Sequence, residues 1–357
     1  MNMSNYEIVG LMSGTSLDGL DITHTIFTKS DENWSFKLSK SATYEYSHDL
    51  KERLSQAKQI PISALLKLDK DFGKEMANLV LRFISENGID QKNIDAIASH
   101  GQTVYHQPKN GFSYQIGCGA KLAFHTGIPV INDFRNKDII AGGQGAPLVP
   151  IGEKHLFSKD ADAFLNLGGF CNMTYQDKNE WKAFDISPCN LPLNKLAEQK
   201  GLEYDKNGEL AKKGAVDFFL LDLLNKIPYY GSEGPKSLGT EWLDEEFYPL
   251  VKFSKSTEDN ICTIVEHIAI QIANALENKN IKKVMVTGGG AFNEFLLNRI
   301  RHYTEVGLVL PSKEIINFKE AIVFGFLGAL YLAKEPNTIP SATGASKEVV
   351  AGVFHLP

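Results

Sequence analysis

Gly10-Leu-Met-Ser-Gly-Thr-Ser-Leu-Asp-Gly-Leu-Asp21 decides the reading of this chain. It follows Tyr6-Glu7-Ile8-Val9 and leads into Ile22-Thr23-His24-Thr25-Ile26-Phe27, so two strand-like runs flank a bend of small polar residues. That is the pattern of a β-hairpin. Glycines such as Gly14 and Gly19 let main-chain N–H groups approach phosphate oxygens, and Thr15 and Ser16 add hydroxyl donors. Asp18 and Asp21 carry the wrong charge for phosphate and call for a cation between. A second stretch, Asn166-Leu-Gly-Gly-Phe-Cys-Asn172, lies in the same way between Ala163-Phe164-Leu165 and Met173-Thr174-Tyr175. Two such hairpins in one chain imply a duplicated nucleotide-clamping fold.

At 357 residues the chain exceeds one comfortable core, so two domains are expected. With 43% hydrophobic and 22% charged residues it reads as globular, not disordered. The formal charge of −6 disfavours a nucleic-acid binder, which would carry a basic stripe. Cys118, Cys171, Cys189 and Cys262 are scattered without a C-x-x-C pair, which disfavours a zinc site or a disulfide framework and suits a reducing compartment. The N-terminus shows no basic and apolar leader. The apolar run Ala321 to Ala333 is short for a membrane span and is flanked by charges, so it reads as a buried core helix. A soluble cytoplasmic protein with no membrane partner is the expectation.

Along the chain, apolar positions from Leu65 to Phe83 recur at spacings of three and four, predicting a helix that Ser63 caps and Asn87-Gly88 ends. Short strands are expected at 94–100 and 128–131, running into the polar groups Ser99-His-Gly-Gln-Thr103 and Asn132-Asp-Phe-Arg135. The carboxyl ends of strands are where α/β sheets place ligands. Gly142-Gly-Gln-Gly-Ala-Pro147 reads as the inter-domain crossing. The second half repeats the order: a hairpin over 163–175, a strand over 181–185, then helices over 188–199, 216–225 and 258–278. Lys283-Val-Met-Val-Thr287 is a strand that opens through Gly288-Gly-Gly-Ala-Phe-Asn293 into a helix, an arrangement suited to a nucleotide's close approach. The tail 336–357 is expected to pack back on the body. There is no P-loop, and no G-x-G-x-x-G opens a helix, so phosphate handling needs another architecture.

Two hairpins and a late triple-glycine turn resemble the actin, hexokinase and Hsp70-like group. The chain is, more narrowly, similar to the anhydro-N-acetylmuramic acid kinases. The resemblance is carried by residues 10–21, Ser99–Thr103, Asp133–Arg135, Gly142–Leu148, Asn166–Gly169 with Asn172, and Asp185–Asn190. It continues through Pro235-Lys-Ser237 with Gly239, Gly288–Ala291 with Asn293, and Glu320-Ala321. It implies an α/β fold of two ribonuclease-H-like (actin-like ATPase) domains around a central ATP and sugar cleft. The domains are expected at 1–135, joined by the tail 338–357, and at 136–337. It also implies a homodimer, and ATP with Mg²⁺ used to phosphorylate an anhydro amino sugar as its ring is hydrolysed.

The resemblance assigns Asp185 as the catalytic base, against the plain reading of an N-cap for the helix after Pro188. ATP contacts fall to Gly14, Thr15, Ser16, Asp18, Gly19, Asp21, Asn166, Gly168, Gly169, Gly288, Gly289, Gly290 and Asn293. The three late glycines could equally make only a tight turn. Sugar contacts fall to His100, Gln102, Asp133, Arg135, Gln144, Asn190 and Glu320. Asp18 and Glu320 are the metal candidates, against a turn aspartate and a first-turn helix glutamate. His100 could be purely structural, and Asp133-Arg135 a salt-bridged strand end. The family commonly shows Asp-Thr-Gly-Pro-Gly-Asn where this chain has Asp185-Ile-Ser-Pro-Cys-Asn190, and Thr240 stands where Arg is frequent. These departures bear on the sugar, not on the reaction class. The rival readings are a kinase for levoglucosan or an open-ring amino sugar, and a non-catalytic nucleotide-binding regulator. A serine hydrolase through Ser13 or Ser16 is disfavoured, because no G-x-S-x-G elbow is present.

Overall fold

A computed structural model describes residues 3–14, 17–232, 236–251, 256–277 and 279–357. Thr15, Ser16 and Pro235, singled out above, lie outside the described residues. The chain divides into two compact units, Met1–Phe157 with Phe318–Pro357, and Ser158–Asn317. The exchange falls at 157/158 and 317/318, some twenty residues inside the expected 135/136 and 337/338.

Unit one is built on β1 (Met3–Ser13), β2 (Gly19–Ser30), β3 (Asn33–Glu45), β4 (Ala96–Ser99), a small separate hairpin of β5 (Gln102–Gln107) and β6 (Phe112–Ile116), and β7 (Val130–Asn132). Its main sheet runs β3-β2-β1-β4-β7 and then a C-terminal strand, Val353–His355. β1 pairs antiparallel with β2 and parallel with β4, β4 pairs parallel with β7, and the C-terminal strand is antiparallel to β7. The helix Ile62–Glu86 buries Leu65, Leu68, Phe72, Met76, Val80 and Phe83, the face its periodicity predicts. It starts at Ile62 behind Pro61, not at a Ser63 cap.

The helix Lys313–Leu332 is long and apolar enough to cross a membrane, yet two-thirds of its apolar window is buried. Its unit-one part packs on β1 through small residues. A side chain on Gly10 would overlap the Ala321 carbonyl, and one on Gly328 would come within 2.6 Å of the Ala98 methyl. At the head of this helix Lys319 Nζ pairs with Glu153 Oε1 at 2.9 Å, the two side chains 5% and 3% exposed. Glu153 lies just before the chain leaves this unit and Lys319 just after it returns.

Gly142–Pro147, expected as the crossing, belongs to unit one instead, because a buried aspartate gathers it. Asp138 accepts from Gly145 N–H (2.8 Å) and Thr343 Oγ1 (2.8 Å), and Gln144 N–H donates to Thr343 O (2.8 Å).

Unit two repeats the plan with β8 (Ala163–Leu167), β9 (Phe170–Asp177), β10 (Glu180–Pro188), β11 (Lys283–Thr287) and β12 (Gly307–Val309), ordered β10-β9-β8-β11-β12. β8, β9 and β10 are antiparallel neighbours, while β8, β11 and β12 run parallel. Strand order and direction thus match between the units, which is the ribonuclease-H-like plan. The helix Thr257–Leu276 supplies much of this core, with Ile261, Ile264, Val265, Ile268 and Ile272 fully buried.

Removing one partner of the Lys319–Glu153 pair leaves a buried charge uncompensated, so Lys319→Met lowers unfolding free energy by about 3–5 kcal/mol in urea titrations. Glu153→Leu added to it restores most of that loss.

Candidate active site

In unit one, functional groups gather at the carboxyl ends of β1, β4 and β7. The β1–β2 bend is braced from beneath. Tyr46 OH donates to Ser13 Oγ (2.7 Å), and Gln102, its amide nitrogen turned to the hairpin, reaches Ser13 Oγ (2.6 Å) and Gly14 O (3.1 Å). This amide, expected on the sugar, also holds the hairpin. A side chain on Gly19 would overlap the Tyr44 carbonyl, so this glycine is needed for β2–β3 pairing whatever else it does.

Asp18 is exposed on the bend. Asp21 accepts from Thr43 Oγ1 (2.5 Å), and burial lifts its carboxyl to about 6, with Glu320 and Asp18 adding repulsion. Glu320 keeps a solvent-accessible side chain, but the protein around it pushes its carboxyl upward while Lys319 and Arg135 pull it back. Mutual repulsion among these carboxylates favours a cation. Among the described residues no three His, Cys, Asp or Glu side chains are grouped to hold one by themselves. Mg²⁺ takes only one or two carboxylates and keeps waters, so this donor set suits it.

Arg135 donates through Nη2 (2.8 Å) and Nε (3.3 Å) to His100 Nε2, and through Nη1 to Gly145 O (2.8 Å). It is not paired with Asp133, so the strand-end salt bridge is not formed. Asp133 takes a left-handed backbone, φ 56°, and accepts from the amide of Asn136 (2.7 Å). His100 lies buried against Phe324, ring centroids 4.6 Å apart. Burial first, and Arg135 second, push its imidazole down to about 3. Gln144 has an exposed side chain on the loop that Asp138 gathers.

Unit two brings the second set together. A side chain on Gly288, φ 82°, would sit 2.6 Å from Asn166 Oδ1, and one on Gly168 would sit 3.3 Å from Asn166 Nδ2. Gly290 lies against Leu167 and Gly289 faces Asn190, whose Nδ2 donates to Leu167 O (2.9 Å). Asn190, expected on the sugar, lies beside the glycine turn. Asn293 spends its side-chain oxygen capping the helix Glu294–Tyr303 through Leu296 N–H (3.1 Å). The glycines let strand, turn and helix start come close, leaving a surface of backbone amides without side-chain cover.

Asp185 is no helix cap: the cap position before Asn190–Ala197 is Cys189. It stands at a β-bulge, where Asp185 and Ser187 face the consecutive residues Asn172 and Cys171. The extra residue, Ile186, turns into the core, as does Cys189. Two of the three departures from the family motif, Ile186 and Cys189, are therefore packing residues, and the third, Ser187, is buried as well. Burial raises the Asp185 carboxyl, partly offset by Leu238 N–H on Oδ2 (2.8 Å). No motif pointed to Asp138 or Tyr46; an aspartate shortly before a Gly-rich loop was the one available signal for Asp138.

His100 titrates near 6.5 in the unfolded chain and about 3 in the fold, so between those values only the unfolded chain binds the proton. Stability therefore rises with pH across that window and is complete above it. His100→Gln flattens the rise in urea melts, and ¹⁵N spectra of the imidazole show no protonation step between about pH 5 and 8.

A family model described as anhydro-N-acetylmuramic acid kinase matches residues 6–356. The chain is 37% identical over 382 residues to the anhydro-N-acetylmuramic acid kinase of Francisella tularensis subsp. novicida (strain U112), covering 99% of this chain and 100% of that one. It is 36% identical to that of Shewanella pealeana, covering 99% of both, and 35% identical to that of Haemophilus influenzae, again covering 99% of both. Among solved structures it aligns with a ROK hexokinase from Thermus thermophilus at a TM-score of 0.39 and 16% identity, covering 91% of this chain and 99% of that one.

Proposed function

This chain belongs to the anhydro-N-acetylmuramic acid kinase family, and on that premise we propose that it phosphorylates 1,6-anhydro-N-acetylmuramic acid from ATP while water opens the anhydro ring. The product is N-acetylmuramic acid 6-phosphate, and the step belongs to peptidoglycan recycling. The observation that carries this reading is Asp185, a half-buried carboxylate on a bulge with its pKa raised toward the range of a general base.

Asp185 takes a proton from water as its oxygen attacks C1 of the sugar. The bond from C1 to the bridging oxygen breaks, and that oxygen, now O6, forms a bond to the γ-phosphorus as the bond to ADP breaks. Arg135 supplies fixed positive charge to the sugar side, held by a neutral His100 that accepts from it. Asn166, Gly168, Gly169 and the turn Gly288–Gly290 offer backbone amides to the nucleotide. Asp18, with Glu320 nearby, would hold Mg²⁺, which when bound neutralises charge on the ATP phosphates. Thr15 and Ser16 are assigned to phosphate contact on the sequence alone. The family resemblance also supports a cytoplasmic homodimer.

Run in ¹⁸O-labelled water, the reaction places the label at C1 of a phosphorylated sugar, read by mass. Phosphorylation of only an open-ring sugar overturns the hydrolytic step. Asp185→Asn lowers turnover by roughly two to four orders of magnitude with ATP affinity kept. Asp18→Asn raises the Mg²⁺ concentration for half-maximal rate about tenfold, because one of few carboxylate ligands is lost.

A further inference from the structure

β10 is the outer strand of its sheet, so the N–H and C=O groups on its free side have no strand to pair with. At Asp185 both are nevertheless satisfied. Its N–H donates to Lys236 O (2.9 Å), and its C=O accepts from Tyr229 OH (2.7 Å). A third bond reaches the side chain, from Leu238 N–H to Oδ2 (2.8 Å). Among the described residues Oδ1 accepts nothing, so one carboxylate oxygen is tied and the other is left for water.

Lys236 and Tyr229, which make two of these bonds, are also tied to each other. Lys236 Nζ lies 4.5 Å from the centroid of the Tyr229 ring and donates to Tyr229 O (3.0 Å) and Ser232 O (3.1 Å). The same ring packs against Tyr230 at 5.6 Å and Trp242 at 5.4 Å between centroids. The Lys236 cation is thus held by two carbonyls and an aromatic face, which ties it to Tyr229 and Ser232.

We propose that Tyr229 and Lys236 are positioning residues for the base: they close a clasp over the bulged edge of β10 and fix the direction of the Asp185 carboxylate. Neither touches a reacting atom. The inference rests on Asp185 being the base. Among the described residues the titratable groups that face this carboxylate are Tyr229 from the clasp and Cys171 from β9. Burial pushes both above their ordinary values, so neither carries charge at neutral pH. Asp21 and Glu320 of unit one also have raised carboxyls, but they are the same in every variant, so a change in the acidic limb of the pH–rate profile from wild type to clasp variant reports Asp185.

Tyr229→Phe keeps the ring and removes the hydroxyl. It is expected to lower kcat about tenfold, leave KM for ATP within twofold, and move the acidic limb to higher pH. The direction follows because a loosened clasp weakens the Leu238 N–H bond that favours the charged carboxylate. Lys236→Met should do the same with Tyr229 intact, so the test stands if one variant fails to fold, and Lys236→Arg should restore most of the rate. Thermal melts accompany every variant. Unchanged kcat and limb in a folded Tyr229→Phe and Lys236→Met overturn the clasp, as does a change confined to KM for ATP. Asp185→Asn in the same buffers separates the two ideas: if it retains turnover, the base itself is misassigned. If it is inactive while the clasp variants are unimpaired, only the clasp falls.

Discussion

The missing side chain of Gly10 is the constraint from which unit one follows. A β-carbon there would collide with the Ala321 carbonyl, so helix Lys313–Leu332 can lie on β1 only if both surfaces are nearly bare backbone. Gly325 and Gly328 continue the contact, the latter against Ala98 on β4. Such closeness fixes the helix along its axis as well as in distance, because small residues interlock without room to slide. It settles where the residues just before Ala321 stand: Lys319 turned inward to Glu153, and Glu320 where its charge acts on Asp21 and Arg135. A packing requirement in the middle of a strand thereby sets the electrostatics at its end.

Most of this architecture was legible because it depends on short periodic signals. The two hairpins, the strand Lys283–Thr287 and the face of Ile62–Glu86 are written in alternation, glycine and spacings of three and four. Boundaries were harder. Gly142–Pro147 resembles a linker in composition, and nothing local says that Asp138 will bind Gly145 and Thr343 and draw the loop inward. That outcome needs a residue from the far end of the chain. For the same reason the limits of the units were misplaced by some twenty residues.

The candidate site shows a similar division. Motifs nominated the residues, but not what each side chain is bonded to. Gln102 and Asn190 were both expected on the sugar, and each also braces backbone, one at the first hairpin and one at the late glycine turn. Ile186 and Cys189 looked like losses from a functional motif, yet a bulge turns the first into the core and leaves the second buried beside it. Residue type gives chemistry; direction depends on register, and register shifts at Asp185.

The clasp has a bearing beyond the reaction. The outer side of β10 is a strand edge with bonding groups able to recruit another chain, and β-rich proteins guard such edges. Lys236 and Tyr229 fill those bonds at the one place where the strand is bent out of register. The proposed clasp would therefore do two things with the same few atoms: direct the carboxylate and close that one point of the strand edge to β-pairing with another chain.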